Sequence, residues 1–397
     1  MSRRARLALI VGSAIFQAWP AIRLARSPWR GEIAFRCAAQ SELPGAPAAA
    51  VAPGRRDGFA SPDSPGVSVH AGSIAELPDG TLAAAWYAGS REGAPDVRIL
   101  MARRPAGPLA DWGPPRELVS RESASRELGR HVRKVGNAVI FADDSGRLWL
   151  VYVTIAIGGW SGSSLNVKGS TDGGETWTPS RRLALSPFFN LSELVRSQPV
   201  PLEGGGFALP IYHENMAKFP EILWLAGPPG GALSWRKSRI SWGRSFIQPA
   251  IAPLGPREAV ALLRTCAGER AVGAARTSDA CASWSPVRRL EGLPNPDAAV
   301  GAVALPGGRL LLAFNDSVSD RSNLKLAVSS DCGASWLRIA TLEEEGGAEF
   351  SYPFMIRSRG GRIHLVYTWR RRRIRHVEFD DSWLEERVRA ALGGQAR

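Results

Sequence analysis

The sequence predicts an all-β chain folded as a six-bladed β-propeller with four-stranded antiparallel blades, carried behind an N-terminal apolar signal or anchor segment. Two repeats predict it. In the first, a tight turn introduces an apolar run six times: LPDGTLAAAWY around Gly80, DDSGRLWLVYV around Gly146, LEGGGFALPIY around Gly206, PLGPREAVALL around Pro256, LPGGRLLLAFN around Gly308 and SRGGRIHLVYTW around Gly361. Successive turns lie 66, 60, 50, 52 and 53 residues apart, which fits one four-stranded sheet per unit and a ring of blades closing on itself. The second repeat, SxDxGxxW, is met by Ser170, Asp172, Gly174 and Trp177 and again by Ser329, Asp331, Gly333 and Trp336. A worn copy keeps Thr277, Asp279 and Trp284 but has Cys281 where glycine is expected. The motif suits a hairpin turn in which Asp accepts backbone N–H bonds, glycine takes positive φ and Trp wedges between strands. Nothing in it can do chemistry.

Residues 6–23, RLALIVGSAIFQAWPAIR, form an apolar stretch that opens on Arg6 behind Arg3 and Arg4, so residues 1–25 are expected to be a signal peptide or signal anchor. Export follows, to the periplasm, to the inner membrane through this segment, or out of the cell. Residues 26–66, rich in Pro, Ala and Gly from residue 40 on, are expected to be a tether. The propeller is expected over residues 67–385 as one domain, and residues 386–397 as a basic C-terminal tail.

Cys37, Cys266, Cys281 and Cys332 are widely spaced with no CxxC or His/Cys pattern, which supports neither a disulfide scaffold nor a zinc site. No cofactor or metal is expected. The net charge of +13 comes mostly from arginine and favours anionic partners. Basic residues are not clustered with interleaved aromatics on one face, which argues against nucleic acid. The run Arg370–Arg373 reads as solvated charge, and His364 and His376 as core or surface residues of their strands.

In a propeller the first strand of each blade lines the central tunnel, so residues that start the first strand and end the second converge at one rim. Blade one offers His70, Tyr87, Arg91, Glu92 and Asp96, blade two Asn137 and Tyr152, and blade three Arg196, Gln198, Tyr212, His213 and Glu214. Blade four offers Gln248 and Arg264, blade five Asn295, Asp297, Asn315, Asp316 and Arg321, and blade six Glu349, Tyr352, Tyr367 and Trp369. Converging arginines make a bidentate carboxylate or phosphate receptor, and shielded acids beside them act as proton donors. The rim suits an anionic sugar, with no nucleic acid partner and membrane contact only through the N-terminal segment; the protein is expected to act as a monomer.

These motifs resemble the sialidase (neuraminidase) superfamily, specifically the bacterial Asp-box (BNR repeat) sialidase-like proteins, over about residues 67–380. The pieces that carry the resemblance are HAGSIAELPDGTLAAAWYAGSREGAPDVRI, IQPAIAPL, LPNPDAAVGAVALPGGRLLLAFNDS, RSNLKLAVSSDCGASW and EFSYPFMIRSRGGRIHLVYTW. The resemblance implies a carboxylate held by three arginines, a tyrosine nucleophile assisted by a glutamate, and an aspartate acid/base. Arg264 and Arg321 match the second and third arginines, Asp96 the acid/base and Tyr352 the nucleophile. His70 stands where the first arginine is expected, and Gln248, 16 residues before Arg264, where the glutamate is expected. A glutamine cannot accept that proton, so Glu214 and Glu349 are the substitute carboxylates, while Arg91, Glu92, Arg196, His70 and Gln248 complete the expected binding surface.

The expected function is an exported exo-sialidase-like glycoside hydrolase that cleaves terminal sialic acid or a related acidic sugar from glycoconjugates. The alternatives are a propeller acting on another acidic sugar, as a uronide glycosidase or a polysaccharide lyase using Tyr and His, and a non-catalytic carbohydrate-binding envelope protein.

Overall fold

The computed structural model describes residues 33–36, 54–186, 192–215, 217–228 and 230–395; the expected signal or anchor segment lies outside them. Strand β1 (Arg55–Phe59) comes first, followed by blade one: β2 (Ser68–Glu76), β3 (Leu82–Gly89), β4 (Arg98–Arg104) and β5 (Arg116–Val119). After helix α1 (Arg121–Leu128) comes blade two: β6 (Lys134–Ala142), β7 (Leu148–Ile155), β8 (Ser163–Ser170) and β9 (Arg181–Arg182). Blade three has a divided inner strand, β10 (Glu193–Val195) and β11 (Val200–Pro201), then β12 (Phe207–Glu214), β13 (Lys218–Ala226) and β14 (Ser234–Arg239). Blade four is β15 (Phe246–Pro253), β16 (Ala259–Thr265), β17 (Ala271–Thr277) and β18 (Arg288–Pro294). Blade five is β19 (Gly301–Leu305), β20 (Arg309–Phe314), β21 (Asn323–Ser329) and β22 (Leu337–Glu344). Blade six holds β23 (Phe350–Arg357), β24 (Ile363–Trp369) and β25 (Arg373–Phe379), and helix α2 (Asp381–Gln395) follows. Six antiparallel sheets result, the propeller that the repeats predict.

Each of the six sequence turns joins the first and second strand of a blade. Inner strands crowd the axis and need small residues there: a Cβ on Gly301 would lie 2.9 Å from the Pro353 carbonyl oxygen of the next blade. The Asp boxes fold as their chemistry dictates. Ser170 Oγ accepts from Gly174 N at 2.7 Å and Ser329 Oγ from Gly333 N at 2.7 Å, while Asp172 and Asp331 accept from Thr176 N at 2.9 Å and Ser335 N at 2.8 Å. The worn box keeps this pattern, Cys281 N donating to Thr277 Oγ1 at 3.1 Å, although Cys281 must take φ +74° to do so.

Two expectations are corrected. Residues 26–66 are not a tether throughout. Phe35 is fully buried and bridges Leu202 of blade three, and β1 pairs antiparallel with β25 as the fourth strand of blade six. The physical reason is the open edge of β25, which exposes a row of backbone groups unless another strand covers it. The C-terminal residues form a helix rather than a basic tail: Asp380 Oδ1 caps it by accepting from Trp383 N at 2.9 Å, and Leu384 is buried against blades five and six. Removing residues 1–60 strips about five strand pairings from blade six, and at roughly 1 kcal/mol each the melting temperature is expected to fall by roughly 10 °C. An unchanged transition in calorimetry would show that the ring closes without β1.

A polar seam joins blade six to blade one, where the ring closes. Arg104 of β4 pairs with Glu378 of β25 at 2.7 Å, both buried, and Trp112 Nε1 donates to His376 Nδ1 at 3.3 Å. An indole N–H only donates, so His376 Nδ1 accepts; its Nε2 therefore carries the hydrogen and points at His364 Nδ1, 3.2 Å away. The ligating atoms of His364, His376 and Glu378 lie within 4.8 Å of one another, but Trp112 and Arg104 already occupy this group, and it reads as two neutral imidazoles hydrogen-bonded in a chain beside the Arg104–Glu378 ion pair. Burial first, then neighbouring cations, holds His376 well below the usual histidine range; burial likewise lowers His364 to about 4, against the pull of Glu378. Both imidazoles are neutral in the fold and take protons in the unfolded chain below about pH 6.5, so folding stability is lost as pH falls from 6.5 toward 4. A loss of roughly 1–3 kcal/mol over that window is expected, read as a drop in melting temperature that is shallower in His364→Asn. Equal pH slopes in the two proteins would count against the seam.

Candidate active site at the mouth of the ring

The site is built by a repeated backbone irregularity. In four blades the inner strand shifts register at its start, between His70 and Ser73, Gly136 and Val139, Ile247 and Pro249, and Ser351 and Phe354. Each shift contains a non-glycine residue at positive φ: Ala71 (55°), Asn137 (41°), Gln248 (49°) and Tyr352 (55°). Such a bulge re-aims side chains, and its strain is tolerated where function holds it. Asn137 and Gln248 converge from different blades on one phenol, donating to Tyr212 Oη at 3.0 and 2.9 Å. Arg264 Nη1 donates to Gln248 Oε1 at 3.0 Å, which fixes the amide orientation because an arginine can only donate.

Tyr352 is the centre of the cluster. Arg196 and Arg321 place their guanidinium carbons 5.3 and 5.4 Å from its ring centroid, and His70 meets it edge to face at 4.7 Å. Arg264 belongs to the same group: burial works against its charge, and Tyr352, Asp297 and Tyr212 more than offset this. Asp297 bridges the two arginines that the sequence singled out, accepting from Arg264 Nε at 2.6 Å on its carboxylate and from Arg321 Nη2 at 2.8 Å on its backbone oxygen. Arg264 and Arg321 therefore share one mouth of the ring.

Beneath this layer lie His70 and Arg196, 0% and 3% exposed. Arg196 donates to the Tyr352 carbonyl, and its Nε and Nη1 are buried without a hydrogen-bond partner, as are both ring nitrogens of His70. Burial lowers the Arg196 guanidinium to about 10. Burial, then Arg371, Arg321 and Arg196, holds His70 far below its usual range, so it is neutral at pH 7.

Arg371 departs from the solvated charge expected of Arg370–Arg373. It sits in the turn between β24 and β25 at φ 54°, which carries its side chain into the site. There it donates from Nε to Glu349 Oε2 at 2.5 Å and from Nη1 to Glu92 Oε2 at 2.9 Å. Glu92 Oε2 is also 3.8 Å from His70 Nε2. The readable signal was positional: a residue just past the end of a second strand belongs to the rim. Arg373 goes the other way and stacks on Phe59, 3.6 Å from its ring centroid.

Three carboxyl groups were candidates for proton transfer, and the structure separates them. Burial raises Glu214 above the usual glutamate range against the opposing charges of Lys218 and Arg264, and Glu214 is also a neighbour of Tyr212. Burial would raise Glu349 too, but hydrogen bonds from Arg371 and Ser351 outweigh it and keep the group low. Asp96 is exposed; its oxygens accept from Ser90 N and Oγ, both at 2.9 Å, and the Ser90 backbone bond leads in lowering its carboxyl. It lines a cavity of about 450 Å³ with Ser90, Pro95, Val97, Arg98, Arg121 and Glu122. None of its hydrogen bonds reaches the Tyr352 cluster. Arg91 is exposed beside Lys134. Tyr367, expected at the rim, is buried and donates to Glu343 at 2.6 Å. Gln248, at the place expected for a tyrosine-activating glutamate, serves Tyr212 and Arg264 instead.

The BNR repeat-like domain family matches residues 80–365. The chain belongs to this family. Among solved structures, the BNR repeat-like chain is similar to a Hadza microbial sialidase, with TM-score 0.66 and 16% identity over 79% of this chain and 66% of that one, just under two thirds of the sialidase's length. It is similar to a protein of unknown function from Dyadobacter fermentans, with TM-score 0.65 and 16% identity over 82% of this chain and 99% of that one. It is also similar to the intramolecular trans-sialidase of Ruminococcus gnavus in complex with oseltamivir carboxylate, with TM-score 0.60 and 13% identity over 82% and 96%. At these identities the likeness is one of fold. No curated protein sequence matches the chain.

Proposed function

We propose that this BNR repeat-like protein is a glycoside hydrolase of sialidase type acting on an acidic sugar, with Tyr352 as nucleophile and Glu214 as general acid. The observation that carries the reading is Tyr352 ringed by guanidinium groups, with a carboxyl of raised proton affinity at the edge of the same cluster. The substrate carboxylate is received by Arg264, Arg321 and Arg371. Arg371, steadied by Glu349, takes the part of the first-strand arginine that His70 replaces. Charge-assisted, bidentate contacts of this kind are the strongest available to a carboxylate in a half-buried site.

Tyr352 Oη attacks the anomeric carbon while Glu214 delivers its proton to the leaving oxygen, giving a glycosyl-tyrosine intermediate. Water, deprotonated by the Glu214 carboxylate, then releases the sugar with its anomeric configuration retained. Gln248 cannot take the phenol proton, so that proton leaves to solvent as the acidic sugar docks, and Tyr352 attacks as a phenolate whose charge is stabilised by Arg196, Arg264 and Arg321. His70, neutral and edge-on to the ring, positions Tyr352. Asp96, held ionised by Ser90, gives way to Glu214 as acid. The N-terminal segment exports the protein, so the glycoconjugate substrate is met outside the cytoplasm.

A fluorogenic sialoside assay beside a panel of fluorogenic uronides tests the reading. Release of fluorophore from one acidic glycoside, lost in Arg264→Ala, is expected. Appearance of an unsaturated uronide, seen by its new ultraviolet absorption, would instead replace hydrolysis with elimination, and no turnover or binding of any acidic sugar would sink the proposal.

A further inference from the structure

Residues 129–134, GRHVRK, carry the chain from α1 to the first residue of β6, and the mechanism above does not use them. Their backbone is pinned: Arg130 N donates to Ser125 O at 3.2 Å, Val132 N to Ser125 Oγ at 3.0 Å and Arg133 N to Ile155 O at 2.9 Å. Val132 is buried, while His131 and Arg133 are exposed. Lys134 lies against the turn between β3 and β4, its Nζ 3.3 Å from where a Cβ on Gly93 would stand and 5.6 Å from the Trp160 ring centroid. The same turn carries Arg91, also exposed. A turn that leaves a second strand and the start of an inner strand both lie at the mouth that holds Tyr352. Like charges crowd here: burial first, then Arg133 and Arg91, lowers the Lys134 ammonium against the pull of Glu92. Among the described residues none of Arg91, Arg133 and Lys134 forms an ion pair, whereas Arg264, Arg321 and Arg371 each hold a carboxylate.

Cations gathered without counter-ions, on the rim of a site that receives one anion, make a receptor for a second. We propose that Arg91, Arg133 and Lys134 bind a second anionic group of the substrate, a sulfate ester or carboxylate on the sugar joined to the acidic sugar. The inference rests on the acidic-sugar reading of the mouth. Glu92 sets the spacing: it accepts from Arg371 Nη1 at 2.9 Å and acts on Lys134 from the other side. One carboxylate therefore stands between the two sets of cations, and a single substrate carboxylate does not serve both. The second anion belongs to a neighbouring unit of the same glycan. The pinned backbone and the contact of Lys134 with Trp160 hold the cations in place before the ligand arrives, which lowers the ordering cost of binding. The net charge of +13 draws polyanionic glycans toward the protein at longer range. The substrate class narrows accordingly, from an acidic glycoside to a glycan with two anionic groups.

Three substrates test this, one acidic sugar linked to lactose, to sulfated lactose and to a second acidic sugar. The KM on a dianionic substrate is expected to be about three- to tenfold lower than on the lactose conjugate, with the advantage shrinking as salt is raised. In the double variant Arg133→Gln, Lys134→Gln the advantage is lost and kcat/KM on the lactose conjugate is unchanged; Arg133→Lys keeps most of it. An advantage on one dianionic substrate alone supports the proposal and names the anion as sulfate or carboxylate. No advantage on either, or an advantage undiminished in the double variant, overturns it and leaves these cations as solvated charge. A chain that turns over no acidic glycoside is tested with sulfated lactose against lactose, titrated and followed by NMR. Binding that requires the sulfate and is lost in the double variant at unchanged melting temperature supports the patch even if the hydrolase reading fails. Equal binding of the two sugars, or binding of neither, overturns it.

Discussion

Tyr352→Phe is expected to lower turnover of an acidic glycoside by on the order of 10⁴-fold or more, while binding of the acidic sugar survives within about threefold. The substitution removes one oxygen and leaves the ring that Arg196, Arg321 and His70 pack against, so the positive φ of 55° at this bulge and the arginine positions have no reason to change. If the phenol is the nucleophile, the covalent route closes and only slow background hydrolysis remains. Mass spectrometry of wild-type protein quenched with a fluorinated acidic sugar should find the adduct on the peptide containing Tyr352 and none in the Phe variant. A Phe variant with undiminished kcat would remove Tyr352 from the chemistry.

The second large effect is expected at Glu214. Glu214→Gln should reduce kcat/KM by roughly 10²–10⁴ on substrates with poor leaving groups and far less on those whose leaving group departs without a proton. The pH dependence gives an independent sign. A general acid works protonated, and burial raises Glu214, so activity persists to higher pH than an ordinary glutamate would allow and falls on the alkaline side as the group ionises. The Gln variant should lose that limb. Loss of the limb in Asp96→Asn instead, with Glu214→Gln unaffected, would return the acid role to the aspartate that the sequence favoured.

The ring was legible because turn and apolar run recur at every first hairpin, and because the Asp boxes carry their own hydrogen-bond logic. Its closure was not: RRDGF is too short and too polar to announce a strand, and β1 forms because the edge of β25 needs covering. At the mouth, Arg264, Arg321, Tyr352 and Glu214 were legible from their places at strand ends. Arg371 was hidden by composition, since a run of arginines reads as solvated charge until a positive-φ turn directs one of them inward. Asp96 matched the resemblance by its spacing, and the sequence could not show that Ser90 engages both of its oxygens. Spacing along a chain places a residue on a loop, while the direction of its side chain is decided by local hydrogen bonds that the sequence pattern does not carry.

On the proposed function, the arginines at the mouth receive the carboxylate of a sugar. Calorimetric titration of an acidic-sugar glycal and its neutral methyl ester into the full-length protein tests this most directly, with Arg264→Ala and Arg371→Ala as comparisons. The acid is expected to bind, the ester to bind roughly 10- to 100-fold more weakly because the charge-assisted arginine contacts are lost, and each arginine variant to narrow this gap. Equal affinity for acid and ester, or a gap unchanged in both variants, would contradict it.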